Sequence, residues 1–331
     1  MSHAPVLLHE AVAALAPKAG DLIVDATFGG GGYTRALLEA ADCKVVALDR
    51  DPDAIARAQA FARLAPWRLA PRQGRFGDIE TLVPEPVDAV ALDLGVSSFQ
   101  LDEPERGFSF RFSAPLDMRM AKAGPSAADV VAQFPEEALA DAIWALGEEA
   151  QSRRIARAIV EARREAPVAT TAQLADLVEK ALGGRKGART HPATKTFQAL
   201  RMLVNDELGE LTRALAGAET RLKPEGRLVV VSFHSLEDRI VKSFMVERAG
   251  AVAGGSRYAP ERPAGRTPSF RLAQKKSIAP NERELAANPR ARSAKLRVAY
   301  RTQAPAWGPI DARMLAPKAA EAFSRLGGAL T

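Results

Sequence analysis

The sequence is poor in cysteine, histidine and aromatic residues. Its 331 residues include one cysteine, Cys43, with four histidines, three tryptophans and three tyrosines. A single thiol excludes an internal disulfide and any zinc site built on cysteine pairs. Cys43 heads an apolar run and reads as a small buried hydrophobe rather than a nucleophile. The histidines lie scattered, without metal-ligand spacing, so no metal site is expected. No stretch approaches the ~20 apolar residues of a membrane span. The opening MSHAPVLLHEAVAALAPKAG lacks leading positive charges, and His9 and Glu10 interrupt its apolar stretch, unlike a signal peptide. A soluble cytoplasmic protein is expected. A strong charge of one sign is also missing. The 46 basic and 40 acidic residues give +6, too small an excess to name a partner.

What is present is a globular composition, 47% hydrophobic and 26% charged. The charge is unevenly spread. Residues 251–301 hold twelve Lys/Arg against three Asp/Glu, as either a nucleic-acid footprint or a solvated basic segment would. Gly254–Pro268 is rich in Pro, Gly and Arg and reads as a loop.

Strand-like apolar runs alternate with helical patterns in the first hundred residues. The strands are Asp21–Thr27, Lys44–Asp49, a less distinct one near Arg68–Gln73, and Val87–Leu94. Such alternation implies right-handed crossovers and a parallel sheet covered on both faces. After Asp93 the rhythm breaks, and the next convincing strand is Gly226–Phe233. That gap far exceeds an ordinary connection and carries helical spacing instead. The predicted architecture is a doubly wound α/β, Rossmann-like sheet with an inserted all-helical domain. The expected boundaries are 1–114 and 206–331 for the sheet domain and 115–205 for the insert. Two further strands are expected near Phe270–Lys276 and Lys295–Arg301.

The most informative segment is DATFGGGGYT, Asp25–Thr34, where the first strand turns into a helix. Consecutive glycines let backbone approach a ligand beside a helix N-terminus. Asp49 ends the next strand, where a carboxylate accepts ribose hydroxyls. NAD and S-adenosylmethionine both suit this layout. A dinucleotide fingerprint wants a further glycine three residues on, and Arg35 or Thr34 stands there. An acidic residue before a shorter glycine turn favours the methyl donor, which assigns Asp25, Gly30, Gly31 and Gly32 to its site. Phe76 reads as an adenine-stacking ring or a core phenylalanine. Asp93 ends the fourth strand at the mouth where such sheets place their chemistry.

The chain resembles the bacterial MraW/RsmH-type methyltransferases. The strings are HAPVLLHE (His3–Glu10), DATFGGGGYT, ALDRDPDAI (Ala47–Ile55), DLGVSSFQLD (Asp93–Asp102), RGFSFR (Arg106–Arg111) and PLDMRM (Pro115–Met120). THPATKTFQALRMLVNDEL (Thr190–Leu208), SFHSLEDRIVK (Ser232–Lys242) and NPRARSAKLR (Asn288–Arg297) complete the series in order. The resemblance implies S-adenosylmethionine-dependent methylation of the N4 amine of a cytosine in the decoding region of 16S ribosomal RNA. It also implies a cofactor site of Gly31, Gly32, Tyr33, Asp49, Phe76, Asp93 and Gln100. Tyr33 stands where the family usually has histidine, and Phe99 where proline is common.

Asp93 is the expected proton acceptor, with Asp117 and His234 as further candidates. Asp117 reads equally as a loop residue bonded to Arg119. The expected RNA-facing residues are Arg119, Arg185, Lys186, Arg189 and His191, with the polar stripe Thr194, Gln198, Arg201 and Asn205 on the helix that follows. His191 also reads as a helix-entry residue. Rival functions are methylation of an amine on DNA or protein, and a non-catalytic RNA-binding assembly factor that retains the fold.

Overall fold

The computed structural model describes residues 5–185, 190–250 and 266–310. Its contacts divide the chain into two compact units, one from Met1–Gly95 with Gly209–Asp311, the other built on Val96–Leu208.

The first unit opens with α1 (Leu8–Leu15) and then alternates β1 (Leu22–Asp25), α2 (Gly32–Ala40), β2 (Lys44–Asp49), α3 (Pro52–Ala62), β3 (Leu69–Gln73), α4 (Ile79–Leu82) and β4 (Val87–Asp93). The second unit carries α5 (Ser98–Asp102), α6 (Ala127–Gln133), α7 (Glu136–Gly147), α8 (Ser152–Glu165), α9 (Thr171–Ala181) and α10 (Thr194–Val204). The chain returns through α11 (Glu207–Arg221), β5 (Leu222–Ser232), α12 (Ser235–Arg248), β6 (Phe270–Leu272), α13 (Glu282–Ala287) and β7 (Lys295–Arg301).

The strands form one seven-stranded sheet in the order β3-β2-β1-β4-β5-β7-β6. β1 to β5 are parallel, and β7 runs antiparallel to both β5 and β6. The α/β expectation therefore holds, with an antiparallel edge. β5 begins four residues earlier than its apolar run suggests, and β6 ends at Leu272, short of Lys276. The apolar strands β1, β2 and β4 are buried along nearly their whole length, as strands covered on both faces must be. Their side chains join Leu7, Leu15, Leu37, Val229 and Leu296 in one apolar core.

In the helical unit, α6 starts from a capping box: the Ser126 hydroxyl accepts from Asp129 N–H and the Asp129 carboxylate accepts from Ser126 N–H. Thr170 and Gln173 form a second box at α9. α7 packs against α8 and α10, burying Leu139, Ile143, Leu146, Ile155 and Leu200. Most of the loop expected at Gly254–Pro268 lies outside the described residues, as do Lys186 and Arg189. No helix among the described residues is long and apolar enough to cross a membrane.

Candidate methyl-donor site

The strand order reverses between β1 and β4, which opens a crevice at their carboxyl ends. β1 stops at Asp25, which pairs with Ala47 of β2 and Ala91 of β4. Both neighbours continue two residues further, to Asp49 and Asp93. The two carboxylates thus flank a notch left by the shorter strand, their backbones about 10 Å apart across two strand spacings. Side-chain alternation puts Asp25, Asp49 and Asp93 on the same side of the sheet.

The chain crosses this notch as the turn from Ala26 to Gly31. Phe28 N–H donates to Leu48 O at 3.0 Å, and Gly31 N–H donates to Phe28 O at 2.7 Å. Gly29 and Gly31 have φ of 52° and 77°, a region that favours glycine. A Cβ on Gly31 would lie 2.6 Å from the Phe28 ring, and one on Gly32 would lie 2.2 Å from the Pro5 ring. Packing beneath the turn therefore requires both glycines, whatever lies above them.

Asp25 braces the turn from within the fold. Its Oδ2 accepts from the Thr34 hydroxyl at 2.7 Å and its Oδ1 from Thr27 N–H at 3.3 Å. Burial raises its pKa to about 6, against the opposing pull of these bonds. Thr27 and Thr34 escaped the sequence reading. Their signal was two hydroxyl residues inside the glycine string, within reach of a carboxylate that ends a buried strand.

Tyr33 turns inward. Its ring is buried in the core and its hydroxyl donates to Val6 O at 2.7 Å. What this position can offer a donor is its backbone. Asp49 accepts from Gly29 N–H and Asp51 N–H, both at 2.8 Å; the residue is only partly buried, and each oxygen has a further lone pair. Its pKa is raised, chiefly by burial. Phe76 is half-buried at the start of a 3-10 turn, Phe76–Asp78, just past β3.

Asp93 differs from the other two acids. Its N–H donates to the Thr27 hydroxyl oxygen at 2.7 Å, but its Oδ1 is buried and, among the described residues, accepts no hydrogen bond. Burial first, then the nearby Asp25 and Glu237 carboxylates, push its pKa well above the usual carboxylate range. An unpartnered buried acceptor at a crevice suits a ligand N–H. Glycine backbone, a ribose-type carboxylate and this orphaned acceptor form a donor set that fits S-adenosylmethionine.

His234 is the N-cap of α12. Its Nδ1 accepts from Glu237 N–H at 3.4 Å, and its Nε2 lies 3.0 Å from Glu237 Oε1. The ring therefore serves the helix start.

In the helical unit, Gln100 is buried in a capping box at α5, with Oε1 accepting from Ser97 N–H at 3.0 Å. Asp117 and Arg119 form a two-pronged ion pair at 2.9 and 2.6 Å. Burial raises the Asp117 pKa, but the Arg119 bonds outweigh it and leave the carboxyl below its usual range. Arg185 is exposed and bonds to Glu179. His191 accepts from Ala193 N–H, stands 3.0 Å from Glu179 and packs against Phe110. Thr194 is exposed.

Of the rest of the expected RNA-facing stripe, Asn205 needs correction. Asn205 is buried, donating to Met118 O and Arg201 O and accepting from Met120 N–H. Arg201 forms a two-pronged pair with Glu207 at 2.8 Å, and Gln198 bonds to Leu146 O. These bonds tie the helical unit to itself; Asn205 is enclosed where its sequence reads as solvated, while Gln198 and Arg201 stay partly exposed.

The profile described as the MraW methylase family matches residues 1–302. A Hyphomonas neptunium protein named ribosomal RNA small subunit methyltransferase H is 60% identical over 308 residues, covering 92% of this chain and 90% of that protein. Namesakes from Caulobacter vibrioides and Methylorubrum populi are 57% and 56% identical, covering 92% and 94% of this chain and 97% and 90% of theirs. With this match over nearly the whole length, the chain belongs to the MraW methylase family and is an S-adenosylmethionine-dependent methyltransferase.

Proposed function

We propose that the chain methylates the N4 amine of a cytosine in the decoding region of 16S ribosomal RNA, acting in the cytoplasm on RNA of the small subunit. Relatives that share more than half its residues carry the name ribosomal RNA small subunit methyltransferase H. The observation that carries the chemistry is the buried, unpartnered Oδ1 of Asp93.

A cytosine amine is a poor nucleophile because its lone pair is delocalised into the ring. Attack requires the amine to be held in line and relieved of a proton. S-adenosylmethionine supplies the electrophilic methyl group. On this reading Asp93 accepts the amine N–H, orients the lone pair and takes the proton. Its raised pKa makes it the stronger base, whereas Asp117, neutralised by Arg119, is a weak one. Asp49 would hold the ribose hydroxyls, Phe76 the adenine face, and the backbone of Gly30 to Tyr33 the rest of the donor. Gln100 joins this set through the family resemblance alone.

Residues 96–208 would recognise the RNA, with Arg119, Arg185, His191 and Thr194, together with Lys186 and Arg189, as the contacts to phosphate. Mass mapping of methylated nucleosides in small-subunit RNA, from cells with and without the protein, tests the proposal. A missing N4-methylcytidine in the decoding region is expected. An unchanged map, with turnover instead on DNA or protein amines, would overturn it.

A further inference from the structure

Phe76, proposed above to stack on adenine, is the middle residue of a turn whose two flanks both bond to one carboxylate. Glu210 of α11 is fully buried. Its Oε2 accepts from Gly77 N–H at 3.0 Å, and its Oε1 accepts from Arg75 Nη1 at 3.1 Å and Arg213 Nη2 at 2.9 Å. The approach is so close that a Cβ on Gly77 would lie 2.5 Å from Glu210 Oε2.

The same face of α11 continues this grip. Glu210, Arg213, Gly217 and Arg221 follow at spacings of three, four and four, which lines them up along one side of a helix. A Cβ on Gly217 would meet Ile79 Cγ2 at 2.5 Å, and Arg221 donates to Glu80 O at 2.7 Å and Pro84 O at 2.9 Å. Apolar packing would suffice to cover a connecting segment. A buried carboxylate that bonds a backbone amide fixes direction as well, and the direction it fixes is that of residue 76.

We infer that Glu210 is a positioning residue for the donor: by fixing the Arg75–Gly77 turn, it presets the Phe76 ring for the adenine. The inference rests on the stacking role proposed for Phe76, and the test separates the two. S-adenosylhomocysteine is titrated calorimetrically into the full-length protein, wild type and variants, and methyl transfer is timed at saturating donor. Phe76→Ala and Glu210→Gln are each expected to weaken binding about tenfold, the scale of losing one well-made charged hydrogen bond or ring contact. The double variant should be no weaker than the worse single one, because both act through one ring. At saturating donor, kcat should fall by less than the affinity does in each variant, since the ring contributes to holding the donor rather than to the chemical step.

Wild-type affinity in Phe76→Ala would remove the stacking role, and the inference with it. Weakened binding in Phe76→Ala but not in Glu210→Gln, or losses that multiply in the double variant, would overturn the inference alone. Should Glu210→Gln fail to fold, Arg75→Gln reports on the same turn through a side chain that is 52% exposed. Unchanged affinity there is equally decisive against it.

Discussion

The hydroxyl oxygen of Thr27 accepts the backbone N–H of Asp93 at 2.7 Å. This bond ties the turn after β1 to the last residue of β4, across the point where the strand order reverses. It sets the height of the Asp93 carboxylate in the crevice. Thr27→Val keeps the shape and removes the acceptor, leaving a partly buried N–H unpaired at a cost of about 1 kcal/mol. Denaturant unfolding should show that loss, and single-turnover methyl transfer should slow with it. A variant as stable and as fast as wild type would show that the bond does not hold Asp93.

Asp93→Asn preserves volume and abolishes the base. Turnover is expected to fall about 10²–10⁴-fold, the usual contribution of a positioned general base. Asparagine keeps an acceptor oxygen at this position, so binding of S-adenosylhomocysteine should remain within a few-fold of wild type. Near-wild-type turnover with the donor site intact would take Asp93 out of the proton-transfer role.

Asp25 makes stability depend on pH. Its pKa of about 6 in the fold exceeds the ordinary value of 3.8, so ionising it is harder in the folded chain than in the unfolded one. Its contribution is fully present below about pH 4 and is lost as pH rises through 6, a change of about 3 kcal/mol in total. Relative to Asp25→Asn, the wild type should lose about 2 kcal/mol of unfolding free energy between pH 4.5 and 7.5. A flat difference across that range would contradict the raised pKa.

Arg185 and Asn205 should separate two kinds of polar residue in the helical unit. Arg185→Glu reverses an exposed charge and should weaken RNA binding and reduce its salt slope by about one. Asn205→Ala removes a buried amide with three hydrogen bonds and should cost about 3 kcal/mol of stability, with little effect on the salt slope. Matching salt slopes for Arg185→Glu and wild type would place the RNA elsewhere.

The sheet was legible because β1, β2 and β4 are continuous apolar runs, and burial on both faces leaves no other pattern. The helical interruption was legible as a long gap without strands. α1 was not read as an element, and its burial against the core comes from contacts with residues such as Val229 and Leu296, far along the chain. In the site, Asp49 and Asp93 stand out as acids that end apolar strands. The inward turn of Tyr33 does not, since its partner is a backbone oxygen at Val6. The stripe on α10 shows the main limit. Gln198, Arg201 and Asn205 have helical spacing whether they meet water or carbonyls, and only the surrounding chain decides. Glu210 is hidden for the same reason: its partner at Gly77 lies 133 residues away.

The strand order has a consequence for how the chain is made. β4 must pair with β5, and the helical segment is synthesised between them. A ribosome working from the N-terminus therefore releases residues 96–208 while β4 still lacks its neighbour β5. Because domains fold as units during synthesis, the helical unit can mature first. The other three strands then wait for the last third of the polypeptide, and chains truncated before Leu222 should carry a folded helical unit but an unfinished sheet.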